Sequence, residues 1–161
     1  MYTFKHRRPA FALAAALIIV PSIIVACGGS SSDPTGIFDD PKIVFGPAPA
    51  VFPAGAQMAV IQGDPSSTNE FTVRLRMPNG YVIPPHTHPT DENVTVIDGS
   101  FKVGMGTTFN EAAMVVLPRG GFVTAPAQHA HFAKAQGVTT VQVHAIGPFA
   151  LTYINPNDVP K

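Results

Sequence analysis

From about Lys42 onward the chain is a succession of short apolar stretches, each cut off by a turn signal. No stretch keeps a helical period for more than a turn or two. Residues 57–62 run into Gly63-Asp64-Pro65. Residues 71–77 alternate, with Phe71, Val73, Leu75 and Met77 set against Thr72, Arg74 and Arg76. Such a strand buries one face and turns its arginines outward; Pro78-Asn79-Gly80 closes it. Residues 94–97 lead into Asp98-Gly99, a hairpin signal, and 101–103 return. Residues 114–117, 122–124, 131–133, 138–146 and 149–154 complete the set, and 107–113 are the best short helical candidate. Many short strands with no helices between them predict an all-β fold, an antiparallel sandwich or jelly-roll β-barrel.

The N-terminus follows other rules. Lys5, His6, Arg7 and Arg8 precede an apolar run over residues 10–26 that Pro21 and Ser22 interrupt. This is the pattern of a secretory signal peptide, residues 1–26. The run sits at the lower limit of what spans a bilayer, so an uncleaved anchor is the alternative. Residues 24–27, Ile-Val-Ala-Cys, resemble a bacterial lipobox, with Ile24 where that motif most often has leucine. The resemblance implies cleavage before Cys27, lipidation of its sulfur, and a periplasmic protein held on a membrane of the cell envelope. Gly28 in place of aspartate implies the outer membrane. Ser, Gly, Asp and Pro then make residues 27–41 a flexible tether, with one folded domain over 42–161.

Cys27 is the only cysteine. Once lipidated it leaves no thiol, which excludes disulfides, thiolate ligands and a cysteine nucleophile. Three of the ten Lys and Arg residues (Lys5, Arg7, Arg8) precede Cys27, while all ten acidic residues follow it. The remainder is therefore slightly acidic, which argues against nucleic acid as a partner. Charged residues are only 12% of the chain, a level that suits a well-buried barrel or a subunit contact.

Residues 80–99 carry the chemistry. Gly80 is followed by His86, His88, Glu92 and Gly99, and His131 comes later. Neutral imidazole and carboxylate are the usual ligands of Zn, Fe, Mn and Ni. Residues two apart on a strand share a face, so His86 and His88 point the same way. Pro89 makes one continuous strand through Glu92 doubtful.

The spacing of Gly80, His86, His88, Glu92 and Gly99 is that of the first cupin motif, and the chain resembles a small exported bacterial cupin. Gly120, Pro126 and His131 are similar to the second motif in register, with Gln128 where that motif has glycine and Ala135 where it has asparagine. The resemblance covers roughly residues 60–154. It implies a jelly-roll barrel, His86, His88, Glu92 and His131 as ligands of one divalent transition metal (Fe, Mn, Zn or Ni), a small-molecule substrate or ligand, and a homodimer.

Other residues are weaker candidates. His129 could face the cavity as a proton shuttle or sit in a loop at its mouth. His144 and Gln142 could orient substrate if their face of residues 138–146 turns inward. Glu111 is a lone carboxylate near a turn, the usual setting of a solvated one. Tyr153, Phe101, Phe132 and Met105 are expected to fill the barrel. Two functions follow: a metal-dependent enzyme on a small molecule, dioxygenase first with decarboxylase, lyase, hydrolase and isomerase behind, or a non-enzymatic module that binds a metal or small ligand.

Overall fold

The computed structural model describes residues 42–161. The signal peptide, Cys27 and the tether lie outside the described residues. Nine antiparallel strands make one curled sheet: β1 (Gly46–Pro47), β2 (Gln57–Gln62), β3 (Glu70–Met77), β4 (Val82–Thr87), β5 (Glu92–Met105), β6 (Val115–Pro118), β7 (Phe122–Ala125), β8 (His131–Ile146) and β9 (Thr152–Tyr153). Among the described residues no helix is long and apolar enough to cross a membrane.

Two long strands organise the fold. β5 and β8 pair along most of their length. On its other side β8 pairs β3 near its C-terminal end and β4 near its N-terminal end. β5 in turn pairs β7 near its start and β6 near its finish. Each long strand therefore belongs to both walls of the barrel.

This corrects the hairpin expected at Asp98-Gly99. β5 runs straight through, because both of its edges are already taken by β8 and by β6 and β7. Gly99 instead sits at φ +78, where the β5–β8 register shifts. The break expected between residues 133 and 138 is also absent, since β8 bends at Gly137 (φ +78) without ending. Such bulges tighten the twist that closes a barrel. The helical candidate at 107–113 is only a 3₁₀ turn, Glu111–Ala113, capped by the Asn110 side chain. The strand expected over 149–154 shrinks to Thr152–Tyr153.

The strand predicted to carry His86 and His88 is β4, which takes in Pro84 and Pro85 and ends at Thr87, just before His88. Its register against β8 shifts between Ile83 and His86. The two missing N–H groups fall at that irregularity, where no ladder bond is lost.

Alternation decides what is inside. Phe71, Val73, Leu75 and Met77 of β3, Val94 and Val96 of β5, and Val141, Val143 and Ala145 of β8 are all buried. Each large aliphatic or aromatic side chain so placed contributes about 1.5–3 kcal/mol. Phe101 and Tyr153 fill the barrel as expected. Phe132, though buried, is on the other face of β8 from the inward His131 and Ala133 and packs against Gly104 and Phe109. Met105, the last residue of β5, is 46% exposed.

Candidate metal centre

Three strands bring the predicted residues together. His86 lies near the end of β4, with His131 of β8 and Tyr153 of β9 as its Cα partners. Glu92 opens β5 and His131 opens β8. His88 stands in the bend between β4 and β5. All four side chains are buried.

Each imidazole is aimed by a main-chain carbonyl. His86 Nδ1 donates to Pro84 O at 2.7 Å, His88 Nδ1 to Ala150 O at 2.8 Å, and His131 Nδ1 to His129 O at 3.1 Å. A carbonyl can only accept, so Nδ1 carries the proton and Nε2 keeps its lone pair for the interior. Phe149 stacks on the His88 ring, with centroids 5.4 Å apart and planes 16° from parallel. The His88 carbonyl is held from outside by Gln128, through its backbone N at 2.9 Å and its Nε2 at 3.2 Å.

Gln128 stands where the second motif has glycine, and it keeps the glycine conformation. It is the only non-glycine at positive φ among the described residues, at 60°. Ala135, at the asparagine position, is buried in the core.

The inner atoms converge. His86 Nε2 and His88 Nε2 are 3.1 Å apart. Glu92 Oε2 is 3.3 Å from His88 Nε2 and 3.4 Å from His131 Nε2. His131 Nε2 is buried and has no hydrogen-bond partner. With neutral rings, lone pairs face one another across about 3 Å, an arrangement a cation between them relieves. Ligand bonds of about 2.0–2.2 Å at angles of 90–110° put ligand atoms about 3.0–3.5 Å apart. The observed separations fall in that range. The three imidazoles form a compact donor group, with Glu92 beside two of them.

The electrostatics follow the same geometry. Burial, then the neighbouring His131 and His88, push His86 down to about 3. Burial also opposes charge on His88, but the Glu92 carboxylate and the Ala150 carbonyl outweigh it and raise that imidazole. Burial works against ionising Glu92, yet the His131 and His88 imidazoles beside it favour the charged form and hold its carboxyl well below the usual range.

The four residues end a cavity whose water-accessible core is about 30 Å³. Its walls include Phe52, Leu75, Ile83, Phe101, Val141 and Val143. No Lys or Arg lines it, and Glu92 is its one carboxylate.

The weaker candidates lie elsewhere. The His129 side chain is exposed, and the residue serves the site through its carbonyl alone. His144 is on the outer face of β8, because Val141, Val143 and Ala145 take the inward positions, and its Nδ1 lies 3.0 Å from Thr72 Oγ1. Gln142 shares that outer face. Glu111 is on the surface between Lys102 and Lys134. The carbonyls of Pro84, His129 and Ala150 were missed by sequence reasoning, since a backbone group leaves no mark in residue type.

The curled antiparallel barrel is the fold of cupin-family proteins, which are its structural neighbours. They include a proposed acetylacetone dioxygenase from Methylibium petroleiphilum PM1, with TM-score 0.60 and 17% identity over 78% of this chain and 84% of that one. The polyketide cyclase RemF from Streptomyces resistomycificus has TM-score 0.60 and 12% identity, over 74% and 84%. An RmlC-like cupin from Shewanella frigidimarina NCIMB 400 has TM-score 0.54 and 14% identity, over 68% and 88%. At these identities the likeness is one of fold. Residues 53–157 match the family described as a domain of unknown function, DUF4437, and the chain belongs to that family. No curated protein matches it.

Proposed function

We propose that His86, His88, His131 and Glu92 hold one divalent transition metal (Fe, Mn, Zn or Ni) and that the chain is a metal-dependent enzyme acting on a small molecule. The observation that carries this reading is the convergence of three imidazole Nε2 atoms and one carboxylate oxygen at ligand spacing, one of them buried without a hydrogen-bond partner. Three imidazoles and a carboxylate leave one or two positions open on a five- or six-coordinate metal. A metal held there supplies Lewis acidity and, if redox-active, a site for dioxygen. The protein's part is to fix the tautomers through Pro84, Ala150 and His129, to keep bulk water out with an apolar wall, and to admit only a small ligand.

Dioxygenase chemistry is the best-supported reaction. The cavity offers no Lys, Arg or free carboxylate for acid–base work, so the bound metal and its ligand would have to carry the reaction. The neighbour described as a proposed acetylacetone dioxygenase is consistent with this. The same bare cavity also favours the second reading, a non-enzymatic module that binds a metal or small ligand. The signal-like N-terminus adds lipid anchoring at Cys27 in the periplasm, and the cupin likeness adds a homodimer.

Elemental analysis of the purified protein beside His86→Ala tests the reading. About one equivalent of Fe or Mn, lost in the variant, supports oxygen chemistry and is followed by an oxygen-uptake screen. One equivalent of Zn supports hydrolysis, isomerisation or the binding role. No metal in either protein, even after reconstitution, overturns it.

A further inference from the structure

The cavity that ends at the donor set is polar at that end alone. Among the described residues, the polar side chains lining it are His86, His88, Glu92 and His131. Every other wall is aliphatic or aromatic. A hydroxyl or ammonium placed among those walls loses its water and gains no partner, at a cost of about tenfold or more in affinity. A ligand that fits therefore keeps its polar atoms at one end. The water-accessible core of about 30 Å³ holds about two or three water-sized groups.

One wall differs from the rest. Of the apolar walls, Phe52 alone is not on a strand; it comes from the loop between β1 and β2. Its ring is 6.0 Å from that of Phe149, which stacks on His88, so Phe52 stands toward the donor end. The loop is held on both sides of it. Val51 O accepts from the Tyr153 hydroxyl at 2.8 Å, and Pro53 O from the Tyr81 hydroxyl at 2.5 Å. Phe52 is only 5% exposed. A ring fixed in this way limits the size of what can lie beside the donor set.

Building on the metal reading above, we propose that the site takes a ligand with one oxygen-bearing head and a hydrocarbon body of about two or three carbons, and that Phe52 sets this limit. The head lies at the donor end, where a divalent cation beside ionised Glu92 leaves one net positive charge. The body fills the apolar chamber. Sugars, amino acids and dicarboxylates are excluded, because each carries a second polar group that the chamber cannot satisfy.

The test uses the full chain loaded with the metal that elemental analysis finds in it, and titrates propionate, 3-hydroxypropionate and benzoate by calorimetry. The parent is expected to bind propionate, to bind 3-hydroxypropionate at least about tenfold more weakly, and to give no signal with benzoate. Phe52→Ala and the milder Phe52→Leu are expected to keep the metal, and Phe52→Ala to gain benzoate. Phe71→Ala removes a buried ring that does not line the cavity and is expected to gain none. Equal affinities for propionate and its hydroxylated form, or a metal-loaded parent that binds neither, overturn the ligand class and leave the metal reading standing. Benzoate binding by the parent overturns the role of Phe52. So does an equal gain in Phe71→Ala, or no gain in either Phe52 variant. A parent that holds no metal even after reconstitution overturns both this proposal and the reading beneath it.

Discussion

At the scale of single residues, the site depends on atoms that have one use. His131 Nε2 is buried and unpartnered, so His131→Ala should abolish stoichiometric metal, and Glu92→Gln should weaken it. A metal present at a hundred times its dissociation constant adds about 2.7 kcal/mol to stability. A chelator should therefore lower the melting temperature of the parent and leave that of His131→Ala unchanged; an equal drop in both would show that His131 is not a ligand. The metal-free protein should carry the pH signature of its imidazoles. His86 is pushed from 6.5 to about 3, so the unfolded chain takes a proton that the folded one refuses, and stability falls as pH drops from 6.5 toward 3. Glu92 is held below 4.5, and its contribution is likewise lost in acid. His88 is raised above 6.5, so its contribution is full below that value and fades as pH climbs through the folded one. Melting temperature should peak near pH 6.5, and a flat profile from pH 4 to 7 would contradict these shifts. Gln128 gives a third test. Gln128→Ala keeps the left-handed strain, worth about 1 kcal/mol, and drops the side-chain bond to His88. Gln128→Gly relieves that strain and should melt close to the parent, above the alanine variant. All four inward residues were legible in the sequence because spacing and residue type mark them. For His129 and His144 the sequence left both facings open and the structure exposes both, because the facing of a lone histidine is decided by its neighbours, for His144 the inward Val143 and Ala145.

At the scale of elements, strands with clean alternation such as β3 were readable, and those interrupted by special residues were not. The passage of β4 through Pro84 and Pro85 was not readable, since the irregularity that tolerates them forms only when β8 arrives alongside. Asp98-Gly99 imitates a hairpin because a bulge and a tight turn both ask for positive φ. The two roles differ in what surrounds the glycine. A Cβ on Gly99 would lie 2.4 Å from Val138 O and 2.9 Å from the Thr139 Cα, while one on Gly137 meets nothing within 4 Å. Gly99→Ala should therefore cost about 2 kcal/mol or more, from strain and backbone collision together. Gly137→Ala should cost about 1 kcal/mol, from strain alone. Chemical denaturation of the two variants measures the difference, and equal losses would mean that β5 and β8 are not so closely set at the bend.

At the scale of the whole molecule, the barrel separates two kinds of surface. Its interior ends in a small apolar chamber with a donor set at one end, and its outer wall carries Arg74 and Arg76 of β3. The all-β prediction followed from turn spacing alone, whereas the path of the long strands depended on which edges were already occupied. The N-terminal segment is joined to the barrel in a particular way. Tyr81 and Tyr153 donate their hydroxyls to the carbonyls of Pro53 and Val51, and burial raises both phenols, Tyr153 to about 12. Neither bond is lost to ionisation at any pH a cell maintains. The Tyr153 ring also stands 6.1 Å from the His86 ring. The loop between β1 and β2 is thus latched to the barrel by two hydroxyls, one of them a single ring away from the imidazoles.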